Sequence, residues 1–328
     1  MDLDAFSETH APEWDRLAEL TRRRVLDGAE ADELARLYQL TATHLSMVRS
    51  AAPDPALISR LSTLVSRARA RIAGAHEPAW SDVKRFALVS APAALYRIRY
   101  WTYVVTAVCV VIGVVAGVTA VNDPDVLAIL GTPSQRASYV EEQFASYYDP
   151  GIGFAGRVWT NNAWIAAQCV AFGISGVWPA FVLFNNAVQV GAMGGLMAEA
   201  GRLDIFFSLI LPHGLLELTA VFVAGAAGLR LFWTVVSPGR RPRGLALAQE
   251  GRALFTVAVS LVVVLGVSGL IEGFVTGSGL YWWLKIAIGV VALAAFWTYV
   301  IVLGRRAVAD GETGDLTEDR AGAALPYA

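Results

Sequence analysis

FFSLILPHGLLELTAVFVAGAAGLR, residues Phe206 to Arg230, is apolar and long enough to cross a bilayer, yet it holds Pro212, His213, Gly214 and Glu217. About 20 apolar residues suffice for one crossing. A carboxylate near the centre of such a helix costs on the order of 2.5–3.5 kcal/mol on insertion scales, so it faces a bundle interior or a watery cavity. His213 and Glu217 are four apart, which places them one turn apart on one helix face. Pro212 lacks a backbone donor and Gly214 weakens the helix, so the pattern predicts a kink or break beside the pair. Two roles follow for the pair: a hydrogen-bonded contact that fixes helix packing, or a functional site.

The rest of the chain agrees with a membrane setting. Of its 328 residues 55% are hydrophobic and 16% charged, with a mean hydropathy of +0.50. Soluble domains carry about 25% charged residues. The fold class expected is all-α, a polytopic membrane helical bundle. A net charge of −2, with basic residues spread over several loops, gives no footing for nucleic-acid binding. Cys109 and Cys169 sit in apolar blocks, without metal spacing or a disulfide framework. The polar start, lacking an apolar h-region, predicts no cleavable signal peptide.

Residues 1–99 read as a cytoplasmic helical region. Leu34, Leu37, Tyr38, Leu45 and Val48 recur at helical spacing, as do Leu57, Ile58, Leu61, Leu64, Val65, Ala68 and Ile72. Pro53 and residues 74–78 punctuate the helices, and Arg22–Arg24 read as a solvated basic face. Its last part, 82–99, flanks Phe86, Leu88, Val89, Leu95 and Tyr96 with Lys84, Arg85, Arg97 and Arg99, the composition of an amphipathic interfacial helix. Six spans are expected, at about 101–121, 159–175, 178–199, 205–235, 253–272 and 281–304. The run from Val158 to Ala198 carries no formal charge and is about two crossings long, with its best break at GISGVWP. The acidic loop 122–157 reads as extracytoplasmic, with a short helix bearing Tyr139, Val140, Phe144, Tyr147 and Tyr148 on the outer interface. Basic segments at 82–99, 237–252 and 305–306 then all fall inside, with both termini cytoplasmic in the plasma membrane. The acidic stretch 307–328 lacks apolar periodicity and reads as disordered.

Polar side chains stud the second and third spans. Asn161, Asn162 and Gln168, with Asn185, Asn186 and Gln189, are expected to turn inward toward His213, Glu217 and Glu272 as one intramembrane cluster. Gly191, Gly194, Gly195, Gly225 and Gly228 are the small residues that let helix backbones approach, and such stripes are also compatible with a homodimer. Arg230 is expected to snorkel, and Lys285 to pair with Glu272 or snorkel. Three classes of function remain. A hydrolase is disfavoured: HxxxE supplies at most two zinc ligands, and neither an HExxH pair nor a GxSxG elbow occurs. No catalytic residue, metal or cofactor is therefore expected. A small transporter or channel would use the His213–Glu217 site near mid-bilayer. A non-enzymatic scaffold would use the polar network to specify the bundle and its soluble helices to hold partners.

Four blocks carry a resemblance: NNAWIAA from Asn161, LFNNAVQVGAMGG over Leu183–Gly195, LPHGLLELTAVFVAGAAGLRL over Leu211–Leu231, and IEGFVTG over Ile271–Gly277. They are similar to the signature blocks of the stage II sporulation protein M family. The pattern falls on Asn161, Asn186, Gly191, Pro212, His213, Gly214, Glu217, Gly228 and Glu272. The resemblance implies a multi-pass membrane protein whose namesake anchors cell-wall hydrolases during engulfment. It implies as partners the lipid bilayer and other envelope proteins, among them wall hydrolases or a MoxR-type ATPase system. The arginine-rich composition and long preamble look like a non-sporulation, actinobacterial-type member.

Overall fold

The computed structural model describes residues 3–23, 26–51, 54–72, 80–144 and 151–315. The expectations placed on Arg24, Pro53, residues 74–78, Tyr147, Tyr148 and the tail from 316 lie outside the described residues. Every regular element among the described residues is helical. The described residues divide into two compact units, one up to residue 82 and the other from residue 83 to 315.

The first unit is a three-helix bundle of α1 (Leu3–Arg22), α2 (Gly28–Ala51) and α3 (Pro55–Ile72). Except for Ile72, which is exposed, the residues of α2 and α3 that recur at helical spacing close on Trp14, Leu17 and Leu20 of α1 to form one core. Trp14 is 1% exposed, and its indole N–H donates to His44 Nδ1 at 3.1 Å, so the ring is buried without stranding its donor. Arg16 bridges Glu33 at 2.7 Å and Glu19 at 3.0 Å across the surface. Exposed pairs of this kind add little beyond the core.

Helix α4 (Trp80–Arg85) runs across the boundary between the units, and a π-helical turn (Phe86–Ser90) and α5 (Ala91–Arg97) follow in the second. This departs from the interfacial helix expected at 82–99. Residues 91–95 are buried, and Ala94, Leu95 and Ile98 belong to the main core. The run Ser90-Ala-Pro-Ala-Ala has side chains small enough for backbone contact. A Cβ on Gly304 would overlap the Pro92 carbonyl. The chain thus enters the bundle before its first long helix.

The long helices are α6 (Arg99–Asn122), α9 (Ile152–Ala171), α10 (Val177–Glu199), α11 (Leu203–Val236), α12 (Arg243–Ile271) and α13 (Trp282–Ala309). Between α6 and α9 lie α7 (Pro124–Ile129), α8 (Pro133–Ser138) and a π turn (Tyr139–Gln143). Asp123 caps α7, and a Thr132–Gln135 capping box opens α8. Val140 and Phe144 pack on Leu196, Met197 and Phe206, so this segment is held by the ends of α10 and α11 as well as by its caps.

Helix α11 is the hub, touching α6, α9, α10, α12 and α13. Its residues 220–228 are buried without a gap. Small side chains make this approach possible: a Cβ on Gly225 would come within 2.6 Å of Leu183, and one on Gly228 would strike the Cys169 carbonyl. The turn between α9 and α10 falls at the expected break, where Gly176 takes φ 67°, a value that favours glycine. The expected break at Pro212 and Gly214 is absent: α11 runs as one helix of 34 residues through both. Proline removes only one hydrogen bond, and packing from α13 closes on this point, where a Cβ on Gly289 would meet the Leu211 and Pro212 carbonyls.

Among the described residues, five helices are long and apolar enough to cross a membrane: α6, α10, α11, α12 with the π turn that follows it, and α13. The second expected span, at about 159–175, falls on α9, which has the length, but Arg157, Thr160, Asn161, Asn162 and Gln168 dilute its apolar character. Helix α12 also starts at Arg243, within the stretch expected to be a basic loop. On α6, Val104, Val108, Val111, Val115 and Val118 are all more than half exposed and recur at helical spacing. A soluble protein buries such a stripe; a membrane helix turns it to lipid. The fold is an all-α membrane bundle. Residues 310–315, expected to be disordered, lie against it. Asp315 pairs with Arg252, Glu312 with Arg85, and Arg97 donates to the Thr313 carbonyl at 2.7 Å.

Candidate functional site

His213 and Glu217 project from one face of α11, as their spacing requires. Against them stand Ser268 at the end of α12, and Glu272 and Thr276 at the two ends of the π turn (Glu272–Thr276). Ser268, Glu272 and Thr276 follow one another at steps of four, so they share one face near the helix end. Widened turns of this kind often mark functional positions.

The contacts are few and specific. His213 Nδ1 lies 3.1 Å from Thr276 Oγ1, and His213 Nε2 lies 3.8 Å from Glu272 Oε2. Ser268 Oγ donates to the His213 carbonyl at 3.0 Å and stands 3.5 Å from Glu217 Oε2. Asn162 of α9 is buried, its Nδ2 donating to the Val158 carbonyl at 3.1 Å. His213 is 5% exposed and Glu272 4%, while Ser268 and Thr276 are fully buried and Glu217 is half-buried. One donor atom each from His213, Glu217 and Glu272 falls within 4.8 Å of the other two. The sequence alone yields two candidate metal ligands on α11; folding brings a third from another helix.

The expected amides divide differently. Asn161 is exposed and points away; its neighbour Asn162 is the buried one. Adjacent residues on a helix lie about 100° apart, so only one of the two can face the core. Gln189 is exposed as well, and Asn186 is half-buried with an Oδ1 that has no partner. Lys285 donates to the Thr276 carbonyl at 2.8 Å, with no ion pair to Glu272 among the described residues. Sequence reasoning named Asn162 but missed Ser268 and Thr276. The steps of four around Glu272 were the signal that pointed to the last two.

A second polar centre was also missed. Glu250, 7% exposed on α12, accepts from Arg230 at 3.0 Å and from Arg97 at 3.1 Å. Arg230 also donates to the Arg97 carbonyl at 2.8 Å, so it joins three segments where a snorkelling side chain was expected. A third cluster lies in the first unit. There His10 Nδ1 is 3.0 Å from Glu13, and the His10 and His44 rings are 4.0 Å apart. Burial, and then the neighbouring His10, holds the His44 pKa below the usual histidine value.

The sequence pattern of a family described as stage II sporulation protein M matches residues 106–277, which include His213, Glu217 and Glu272. A second pattern, described as a domain of unknown function (DUF8413), matches residues 4–74, the three-helix unit. No curated protein and no solved structure matches the chain.

Proposed function

This chain belongs to the stage II sporulation protein M family, and we propose that it acts as a non-enzymatic membrane anchor that organises a cell-envelope complex. The bundle sits in the plasma membrane, with α9 completing six crossings and both termini in the cytoplasm. The observation that carries this role is the three-helix unit, which buries its own core around Trp14, Leu17 and Leu20. A module that needs no further chain to close that core leaves its outer surface free for a partner. Small-residue contacts along α6, α10 and α11 favour a bundle of fixed geometry. The test is gentle extraction of the tagged chain from native membranes, with and without residues 3–72. An envelope protein that co-purifies at fixed stoichiometry only with the complete chain supports the role. Retention of every partner by the truncated chain, or a clean homo-oligomer from both, refutes it.

A second role, a small transporter or channel, draws support from the buried His213, Glu217 and Glu272 group. Glu217→Gln keeps the shape of the side chain and removes its ionisation. Unchanged abundance with lost function favours transport; lost abundance favours packing.

A further inference from the structure

We propose that His213, Glu217 and Glu272 form an intramembrane binding site for a first-row divalent cation of the zinc or manganese class. The three donor atoms already lie within 4.8 Å of one another. Atoms bound about 2.1 Å from one tetrahedral ion sit roughly 3.4 Å apart, so ligation asks only for a modest contraction. The donor set is one imidazole nitrogen and two carboxylates, without thiolate, which suits zinc, manganese or ferrous iron and disfavours copper(I).

Two independent features point to a cation here. Glu272 is 96% buried on a 4% exposure, yet its carboxylate accepts no hydrogen bond among the described residues. His213 Nε2 stands 3.8 Å from it, aimed but too distant to satisfy it. Two carboxyl groups this close in a low-dielectric interior are neutralised by a proton or by a bound cation, and Lys285 is engaged by the Thr276 carbonyl. The second feature is the orientation of the histidine. The Thr276 hydroxyl can accept from Nδ1–H at 3.1 Å, which turns Nε2 to the side of Glu272, 3.8 Å from its Oε2. Metal-binding histidines are generally held by such a partner on the other ring nitrogen. The His10, Glu13 and His44 cluster lacks this arrangement, because the Trp14 N–H already occupies the Nδ1 lone pair of His44. With three protein ligands, the intramembrane site keeps a position open for water or another small ligand. This inference stands whether or not the anchor finds its partner.

The experiment uses the full chain, purified in mild detergent through a tag free of histidine, stripped with a chelator and titrated with Zn2+ and separately with Mn2+. One saturable site per chain is expected for at least one of the two ions. Glu217→Gln, Glu272→Gln and His213→Ala should each weaken it on the order of 100-fold or more. Thr276→Val should weaken it about 10–100-fold, the usual effect of losing a partner behind the ligands. A His10→Gln/His44→Gln variant should bind as the parent does. Binding that survives all three ligand substitutions, or follows the His10 pair, overturns the proposal, as does absence of a stoichiometric site. Co2+ in the unaltered chain gives a readout independent of variant folding. Intense visible bands of a four- or five-coordinate site support the proposal; a weak aqua-like spectrum refutes it.

Discussion

The seam between α6 and α10 offers a decisive test of how rigid the bundle is. Gly113 and Gly117 on α6 face Gly191 and Gly195 on α10. A Cβ on Gly191 would overlap the Gly113 carbonyl, and one on Gly195 would lie 2.5 Å from the Gly117 carbonyl and 2.9 Å from Ala120 Cβ. These neighbours are mostly backbone, which cannot rotate aside, so Gly191→Ala/Gly195→Ala must push the two helices apart by roughly 1 Å. Overpacking costs about 1–3 kcal/mol per site, and replacing a helical glycine by alanine returns about 1 kcal/mol per site. Over the two sites the net expectation is a destabilisation of up to about 4 kcal/mol. The matched control is Gly153→Ala/Gly156→Ala on α9, where a Cβ meets nothing within 4 Å. Only the propensity gain operates there, so that variant should be neutral or stabilised by up to about 2 kcal/mol. Unfolding in mixed micelles of graded denaturing detergent measures both. Equal stability of the two double variants would mean that the seam is loose, and the fixed-geometry argument would fail with it.

Glu250→Ala leaves the partly buried guanidiniums of Arg97 and Arg230 without their shared carboxylate. It should cost about 3 kcal/mol, the low end for breaking a buried pair because both arginines keep some exposure; Glu250→Gln should recover part of this in the same unfolding assay. At the intramembrane cluster, Asn162→Leu should destabilise by about 1–3 kcal/mol, whereas Asn161→Leu should change stability by less than about 0.5 kcal/mol. A larger effect at Asn161 would reverse the assignment of faces on α9. The first unit should lose stability in mild acid. Because the folded pKa of His44 lies below its unfolded value, the unfolded chain binds more protons, and stability falls as pH drops from about 6.5 through the folded pKa. Thermal melts of a fragment spanning residues 1–82 at pH 7.5 and 5.5 should show that drop, and His44→Gln should flatten it.

The bundle was legible because its signals are local. Apolar length, helical spacing in α2 and α3, and the GISGVWP turn each depend on a few consecutive residues. What the sequence concealed depends on partners elsewhere in the fold. Pro212 marks a break by every local rule, but the neighbouring α13 comes close enough at Gly289 to hold the helix through it. The Ser90–Leu95 segment bears flanking arginines like an interfacial helix, yet its small side chains let it enter the core.

The same limit shaped what could be said of the site. Spacing within α11 fixes His213 and Glu217 on one face and supplies two ligands, one short of a metal centre. Glu272 alone, near the end of its own helix, looks like a solvated interfacial carboxylate. Only the packing of α11 against the α12 terminus removes it from solvent, and that packing requires Ser268 to bond the His213 carbonyl while Thr276 holds the ring. Ser268 and Thr276 lie four residues before and after Glu272, so the stripe was present in the sequence. It is weak by itself, because hydroxyls at such spacing are equally able to bond the carbonyl of their own preceding turn, as Ser260 does with Thr256. A stripe of hydroxyls flanking an acid acquires meaning when a histidine from another helix faces it. Chemistry assembled across two helices therefore has to be sought in their contact, even where each contributing motif has a sufficient bland explanation.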